Sequence, residues 1–183
     1  MLRYLPNLLT TFRIVAIPYL IYFILIQNMP LVGFIIFVVA SLTDYFDGYL
    51  ARKLNIVSNF GKFMDPLADK CLVLTALGLL WYPIGYLHYF VLIIIALREL
   101  IVSIIRLIYR KKEVIIPANL FGKIKTGLQL GGIMGALLFY TLTDHDLLLN
   151  INDFMICFFK IYFYGVVIVT VWSGIDLFVA YRK

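Results

Sequence analysis

The sequence predicts an all-α integral membrane protein of six transmembrane helices preceded by a short interfacial amphipathic helix, and three observations lead there. Of its 183 residues, 63% are hydrophobic and only 14% charged, with a mean hydropathy of +0.99, far outside the range of soluble domains. Apolar runs approach the roughly 20 residues that a helix needs to cross a bilayer core, at about 13–27, 31–53, 62–83, 86–108, 123–143 and 154–180. Lysine and arginine are concentrated in alternate connections between those runs. One membrane domain, residues 1–183, accounts for the chain.

The elements follow in order. Pro6 and Asn7 mark a helix start, and Leu2, Tyr4, Leu5, Leu8, Leu9 and Phe12 suit residues 1–12 to a helix lying in the membrane interface. Asn7, Thr10 and Arg13 recur at every third residue and share its polar face, as interfacial anchors would. The first span is short unless it continues from this start. It holds Pro18, the one proline expected to kink a helix; Pro30 and Pro83 fall between or at the edges of runs. The fifth span carries a four-spaced stripe, Gly127, Gly131 and Gly135, expected to allow close packing within the chain or against a second copy.

Charge sets the topology. Lys53 and Lys62 bound one turn, with Arg52 and Lys70 beside it, and Arg110, Lys111 and Lys112 follow the fourth run. Arg3 lies near one terminus, Arg182 and Lys183 at the other. The connections near 27–30, 82–90 and 143–153 contain no Lys or Arg, so both termini are expected in the cytosol. The net charge of +6 is accounted for at the membrane edge, and the lipid bilayer, with no nucleic acid, is the expected partner. Cys71 and Cys157 lie far apart in apolar runs and imply neither a disulfide framework nor a CxxC site. His88 and His145 fall in expected loops without ligand spacing. No cleavable signal peptide is expected, because the first apolar run is long and lacks a small-residue cleavage site.

Four of the ten acidic residues crowd into residues 44–69, as Asp44 with Asp47 and Asp65 with Asp69. Spacings of three and four put each pair on one helix face. Residues 55–59 read as a turn between antiparallel helices. About Ile56, Asp47 and Asp65 lie nine residues either side, and Asp44 and Asp69 lie twelve and thirteen away. The four carboxylates are therefore expected to converge near the cytosolic face. Such a cluster repels itself unless cations neutralise it, and Mg2+ or Mn2+ are the natural counter-ions for all-oxygen ligands. As isolated pairs they would serve as caps or as partners for Arg52, Lys62 and Lys70.

Glycine and cations surround this cluster. Gly48 and Gly61 each share a face with an aspartate and, with Ala51, leave room for a bulky group against the backbone; Arg52 stands at the groove's mouth. Ionisable groups inside a span are functional candidates, and Arg98, Glu99 and Arg106 lie in the fourth. Arg98 and Arg106 are two turns apart on roughly one face, with Lys123 and Lys125 at a similar level. A cationic pocket of this kind suits a phosphate-bearing substrate, whereas Arg110, Lys111 and Lys112 read as snorkelling to headgroups.

The pattern Asp44-x-x-Asp47-Gly48-x-x-Ala51-Arg52, eight residues, Gly61-x-x-x-Asp65-x-x-x-Asp69 resembles the signature of the CDP-alcohol phosphotransferases at all eight positions. The resemblance covers essentially the whole chain. It implies two divalent cations, Mg2+ or Mn2+, held by Asp44, Asp47, Asp65 and Asp69. It puts the CDP moiety against Asn7, Thr10, Gly48, Ala51, Arg52 and Gly61, and makes Asp69 the general base on an acceptor hydroxyl. The runs at 7–13, 98–106 and 122–126 look like those of bacterial members that use CDP-diacylglycerol as donor and glycerol 3-phosphate as acceptor. Arg98, Arg106, Lys123 and Lys125 would then bind the acceptor phosphate, and a homodimer is implied by relatives. Residues 113–121, EVIIPANLF, match no feature of the family.

Serine, an inositol compound or phosphatidylglycerol would be alternative acceptors. A cation transporter would spread its acids along a path across the membrane, whereas these cluster near one side. A polyprenyl-diphosphate enzyme clusters its carboxylates more tightly and leaves the Gly-Ala-Arg groove unexplained.

Overall fold

The computed structural model describes the backbone of residues 5–54, 59–111, 120–144 and 152–182, and the side chains of residues 10–43, 64–108, 121–143 and 152–177. The chain is all-α: α1 (Leu5–Ile21), α2 (Pro30–Leu54), α3 (Asn59–Trp81), α4 (Tyr89–Lys111), α5 (Leu120–Asp144) and α6 (Asn152–Arg182), with no strand among the described residues. Residues 55–58 of the expected turn, residues 113–119 of the stretch that matches no family feature, and His145 lie outside the described residues. Among those described, Asn152–Leu177 is long and apolar enough to cross a membrane, with a mean hydropathy of 2.1, and Thr10–Ile26 and Pro30–Thr43 are shorter apolar helical stretches. The ionisable groups of α3 and α4 interrupt their apolar character, and those groups build the site below.

The N-terminal stretch differs from an interfacial helix followed by a separate span. Residues 5–21 form one helix, Pro18 included, which runs on through a π-helical turn at Tyr22–Ile26. Its polar face points inward. Thr10 and Arg13 are wholly buried while Phe12, Ile14, Val15 and Tyr19 are exposed, so Arg13 does not anchor to headgroups. The cause is electrostatic: carboxylates on α3 stand opposite and pair with it.

The chain then reverses sharply. Gln27 N–H and Met29 N–H donate to the carbonyls of Tyr22 at 3.1 Å and Phe23 at 2.8 Å. Asn28 takes the left-handed φ of 50° that asparagine tolerates. Pro30 opens α2, where its missing N–H removes no helical bond. Gly33 lets α2 come against the π turn, for a Cβ there would stand 2.5 Å from Ile24 Cγ1.

In the bundle, α1 packs along both α2 and α3, and among the described residues those two touch each other only slightly. Helix α5 packs on α2 and α6 and reaches α3, while α4 lies against α6 and α3. The core runs through Leu20, Ile24, Phe37, Leu72, Leu77, Leu80, Ile95, Ile133, Leu137 and Phe163. The connection after α3 is pinned by buried Tyr86, which stacks on Phe159 at 5.4 Å between centroids. Outside, α4 exposes Ile93, Ile94, Leu97, Leu100, Ile101, Ile104, Leu107 and Ile108. A contiguous apolar face of that size marks contact with lipid or another apolar surface.

The glycine stripe of α5 does not mediate its approach to α6 as a unit. Among the described residues, nothing lies within 4 Å of where a Cβ would stand at Gly127 or Gly131. The close contact is at Gly132, where a Cβ would stand 2.4 Å from Tyr162 Cε1, and Gly135 meets Phe159 at an ordinary 3.7 Å. One residue rotates the contact by about 100° around the helix. Tyr162 is also tied to α5, its hydroxyl donating to the Leu128 carbonyl at 2.8 Å. Gly132→Ala is therefore expected to destabilise by about 1–3 kcal/mol through overpacking. Gly131→Ala should be neutral or slightly stabilising, since it gains helix propensity without a clash. Thermal unfolding of the two variants in detergent checks the contrast; equal midpoints would contradict the packing described.

Candidate active site

Asp65 and Asp69 stand one turn apart on α3, either side of Pro66 and facing α1. Thr10 Oγ1 donates to Asp65 Oδ1. Arg13 Nη1 donates to Asp69 Oδ1, and its Nη2 lies 3.7 Å from Asp65 Oδ1. The Arg13 side chain is fully buried, whereas both aspartate side chains are 36% exposed. A guanidinium in an apolar bundle is tolerable only when paired in this way, so α1 and α3 are joined by their charges as well as by packing.

These two carboxylates fit a hard divalent cation by donor chemistry: oxygen ligands one turn apart, exposed enough for an ion to reach them. Asp44 and Asp47 lie on α2, but their side chains are outside the described residues, as are those of Asn7, Arg52 and the groove residues Gly48, Ala51 and Gly61. Among the described residues, no group of three or more His, Cys, Asp or Glu comes together.

Asp69 also borders a second feature. A cavity of about 240 Å3 opens between α3, α4 and α5, walled by Pro66, Asp69, Lys70, Val73, Leu74, Glu99, Arg106, Lys125, Thr126, Gln129 and Leu130. Three of these residues are cationic and two anionic. Lys125 is buried and donates to Glu99 Oε1. Lys70 Nζ donates to Ser103 Oγ and, at 3.2 Å, to the Glu99 carbonyl, and stands 3.9 Å from Glu99 Oε2. Arg106 is exposed at the cavity's edge.

The four expected phosphate ligands therefore occupy different places. Arg106 and Lys125 line the cavity. Arg98 turns from it toward α6, with Nη1 3.0 Å from Glu99 Oε1 and Nη2 donating to Ser173 Oγ at 2.6 Å. Lys123 is exposed, two residues from Lys125 and so on another side of α5. Sequence reasoning missed Arg13 and Lys70 as site residues. The signal for both was present: an ionisable group within an apolar run invites the question of its partner.

The all-α bundle sets paired aspartates beside a cationic cavity, and comparison supplies the family. The chain belongs to the CDP-alcohol phosphatidyltransferase family, whose model matches residues 3–172. Similar curated proteins carry the name CDP-diacylglycerol–glycerol-3-phosphate 3-phosphatidyltransferase. That of Mycoplasma pneumoniae is 40% identical over 151 residues, covering 71% of this chain and 66% of the relative. That of Bacillus subtilis is 40% identical over 148 residues, covering 73% and 76%. That of Mycoplasma genitalium is 34% identical over 194 residues, covering 93% and 80%.

Proposed function

We propose that this chain transfers the phosphatidyl group of CDP-diacylglycerol to glycerol 3-phosphate, giving phosphatidylglycerophosphate and CMP, in phospholipid biosynthesis. The observation that carries the reading is the cavity in which one carboxylate, Asp69, shares a wall with Lys70, Arg106 and Lys125. A base beside an anion-binding wall is what a phosphorylated alcohol requires, since a phosphate monoester brings about −1.5 to −2 charges. The names of the relatives point to the same donor and acceptor.

In this reading the acceptor phosphate rests against Arg106 and Lys125, with Lys70 beside them and Arg98 and Lys123 behind. Its hydroxyl reaches Asp69, which accepts the proton as the oxygen attacks the phosphorus bearing the diacylglycerol. The bond from that phosphorus to the CMP oxygen breaks, and CMP leaves. Asn7, Thr10, Gly48, Ala51, Arg52 and Gly61 form the groove for CDP. Asp44, Asp47, Asp65 and Asp69 would hold two divalent cations, Mg2+ or Mn2+, which when bound neutralise the diphosphate and the departing CMP.

The same reading puts six helices across the cell membrane, with the start of α1 at the interface, both termini and the site facing the cytosol, and the chain working as a homodimer. The apolar outer face of α4 supports it. So does the exclusion of Lys and Arg from the connections opposite the site.

An acceptor screen tests the proposal. Purified chain with CDP-diacylglycerol and Mg2+ or Mn2+ in detergent is offered glycerol 3-phosphate, serine, inositol, inositol phosphate and phosphatidylglycerol in turn, with CMP measured. Release only with glycerol 3-phosphate is expected, and equal turnover with a neutral acceptor would overturn the assignment. Arg106→Ala should raise KM for glycerol 3-phosphate roughly tenfold with little change in kcat, the loss of one charge-assisted contact.

A further inference from the structure

Glu99 is a carboxylate in the middle of a cation cluster meant for a phosphate, and the proposed chemistry gives it no work. Its surroundings do. The carboxylate receives Lys125 from α5 and Arg98 from its own helix at 3.0 Å. Arg98 is held in turn by Ser173 of α6, and Lys70 of α3 binds the Glu99 carbonyl while standing 3.9 Å from its carboxylate. Side chains of α3, α4 and α5 thus gather at Glu99, which is only 14% exposed, and α6 reaches it through Arg98. Lysine ends in a point charge on a flexible stem with no direction of its own. Lys125, whose side chain is 5% exposed, lies on the cavity wall with its ammonium on Glu99.

We infer that Glu99 is a positioning residue for acceptor binding: braced by Arg98 and Ser173, its carboxylate holds the Lys125 ammonium at the cavity wall, where the acceptor phosphate then finds it in place. The inference rests on the proposed acceptor. It changes the role of Arg98 from phosphate ligand to brace, and it assigns Glu99, an anion, to the recognition of an anion. The physical ground is preorganisation: a charge already fixed and desolvated costs little further ordering when the ligand arrives. Glu99 touches neither reacting atom, so its loss should weaken binding and spare the chemical step.

The experiment is a double-mutant cycle on the full chain in detergent with CDP-diacylglycerol and saturating Mn2+, varying glycerol 3-phosphate. Glu99→Gln should raise the acceptor KM roughly tenfold while kcat and the KM for CDP-diacylglycerol stay within about twofold. Lys125→Gln should do the same, and Glu99→Gln in the Lys125→Gln background should add little, because the carboxylate then has no ammonium to hold. Glu99→Asp, which keeps the charge, should recover most of the affinity and serves as the measured variant should Glu99→Gln not fold. Fully additive effects of Glu99 and Lys125, a lower acceptor KM in Glu99→Gln, or an equal rise in both substrates' KM would overturn the inference. Wild-type chain that ignores glycerol 3-phosphate would overturn the proposed acceptor and this inference together. A normal wild type with a raised KM in Arg106→Ala but an unmoved one in Glu99→Gln would overturn this inference alone.

Discussion

Replacing Asp69 with Asn is expected to cut CMP release by about a thousandfold, within the range a positioned base contributes. Asp69 is the one described residue shared by the two features of the site, meeting Arg13 of α1 and bordering the cavity with Lys70 and Arg106. Asn keeps the shape but neither takes a proton nor brings a charge. Asp65 supplies the comparison, because it faces Arg13 and Thr10 and does not wall the cavity. Asp65→Asn should instead raise the Mn2+ concentration needed for half-maximal rate and recover in part at high Mn2+, while Asp69→Asn should not. An Asp69→Asn protein with a tenth or more of the wild-type rate would remove Asp69 from the chemistry.

Replacing Arg13 with Gln is expected to lower the melting temperature of the metal-free chain by several degrees. Removing one partner of a buried ion pair costs about 3–5 kcal/mol when the other is left stranded. Here the stranded groups are aspartates more than a third exposed, and solvent screening reduces the figure to about 1–3 kcal/mol. Added Mn2+ should restore much of the loss in the variant and do less for the wild type, since the guanidinium already neutralises the same carboxylates. Melting curves in EDTA and in Mn2+ decide it. Identical midpoints for variant and wild type in EDTA would mean that the pairing contributes nothing.

The helices are legible because the apolar runs after the first are long and their ends are marked by proline or by charge. The direction in which α1 turns its polar face was not. Asn7, Thr10 and Arg13 form the same pattern whether they look toward headgroups or toward carboxylates on another helix, for periodicity reports contrast between faces and not which face is inside. Here the side turned inward carries the polar residues, for Thr10 and Arg13 are both buried. Arg98 is a different case. Its spacing from Arg106 puts both on one face of α4, but its guanidinium bonds both the adjacent Glu99 and Ser173 of α6, the latter 75 residues away in sequence. Nothing near Arg98 in the chain announces it. With the α5 glycines, the interval of four was visible, while the contact at Gly132 depends on where Tyr162 arrives from α6.

The burial of Arg13 bears on how the molecule is assembled. Its guanidinium is made 56 residues ahead of Asp69, so in the proposed membrane topology α1 is synthesised before the α3 carboxylates that pair with it. Settling alone in hydrocarbon is costly for such a group. In that topology the seating of α1 is coupled to the arrival of α3, because the ion pair that joins them closes only once both are in place.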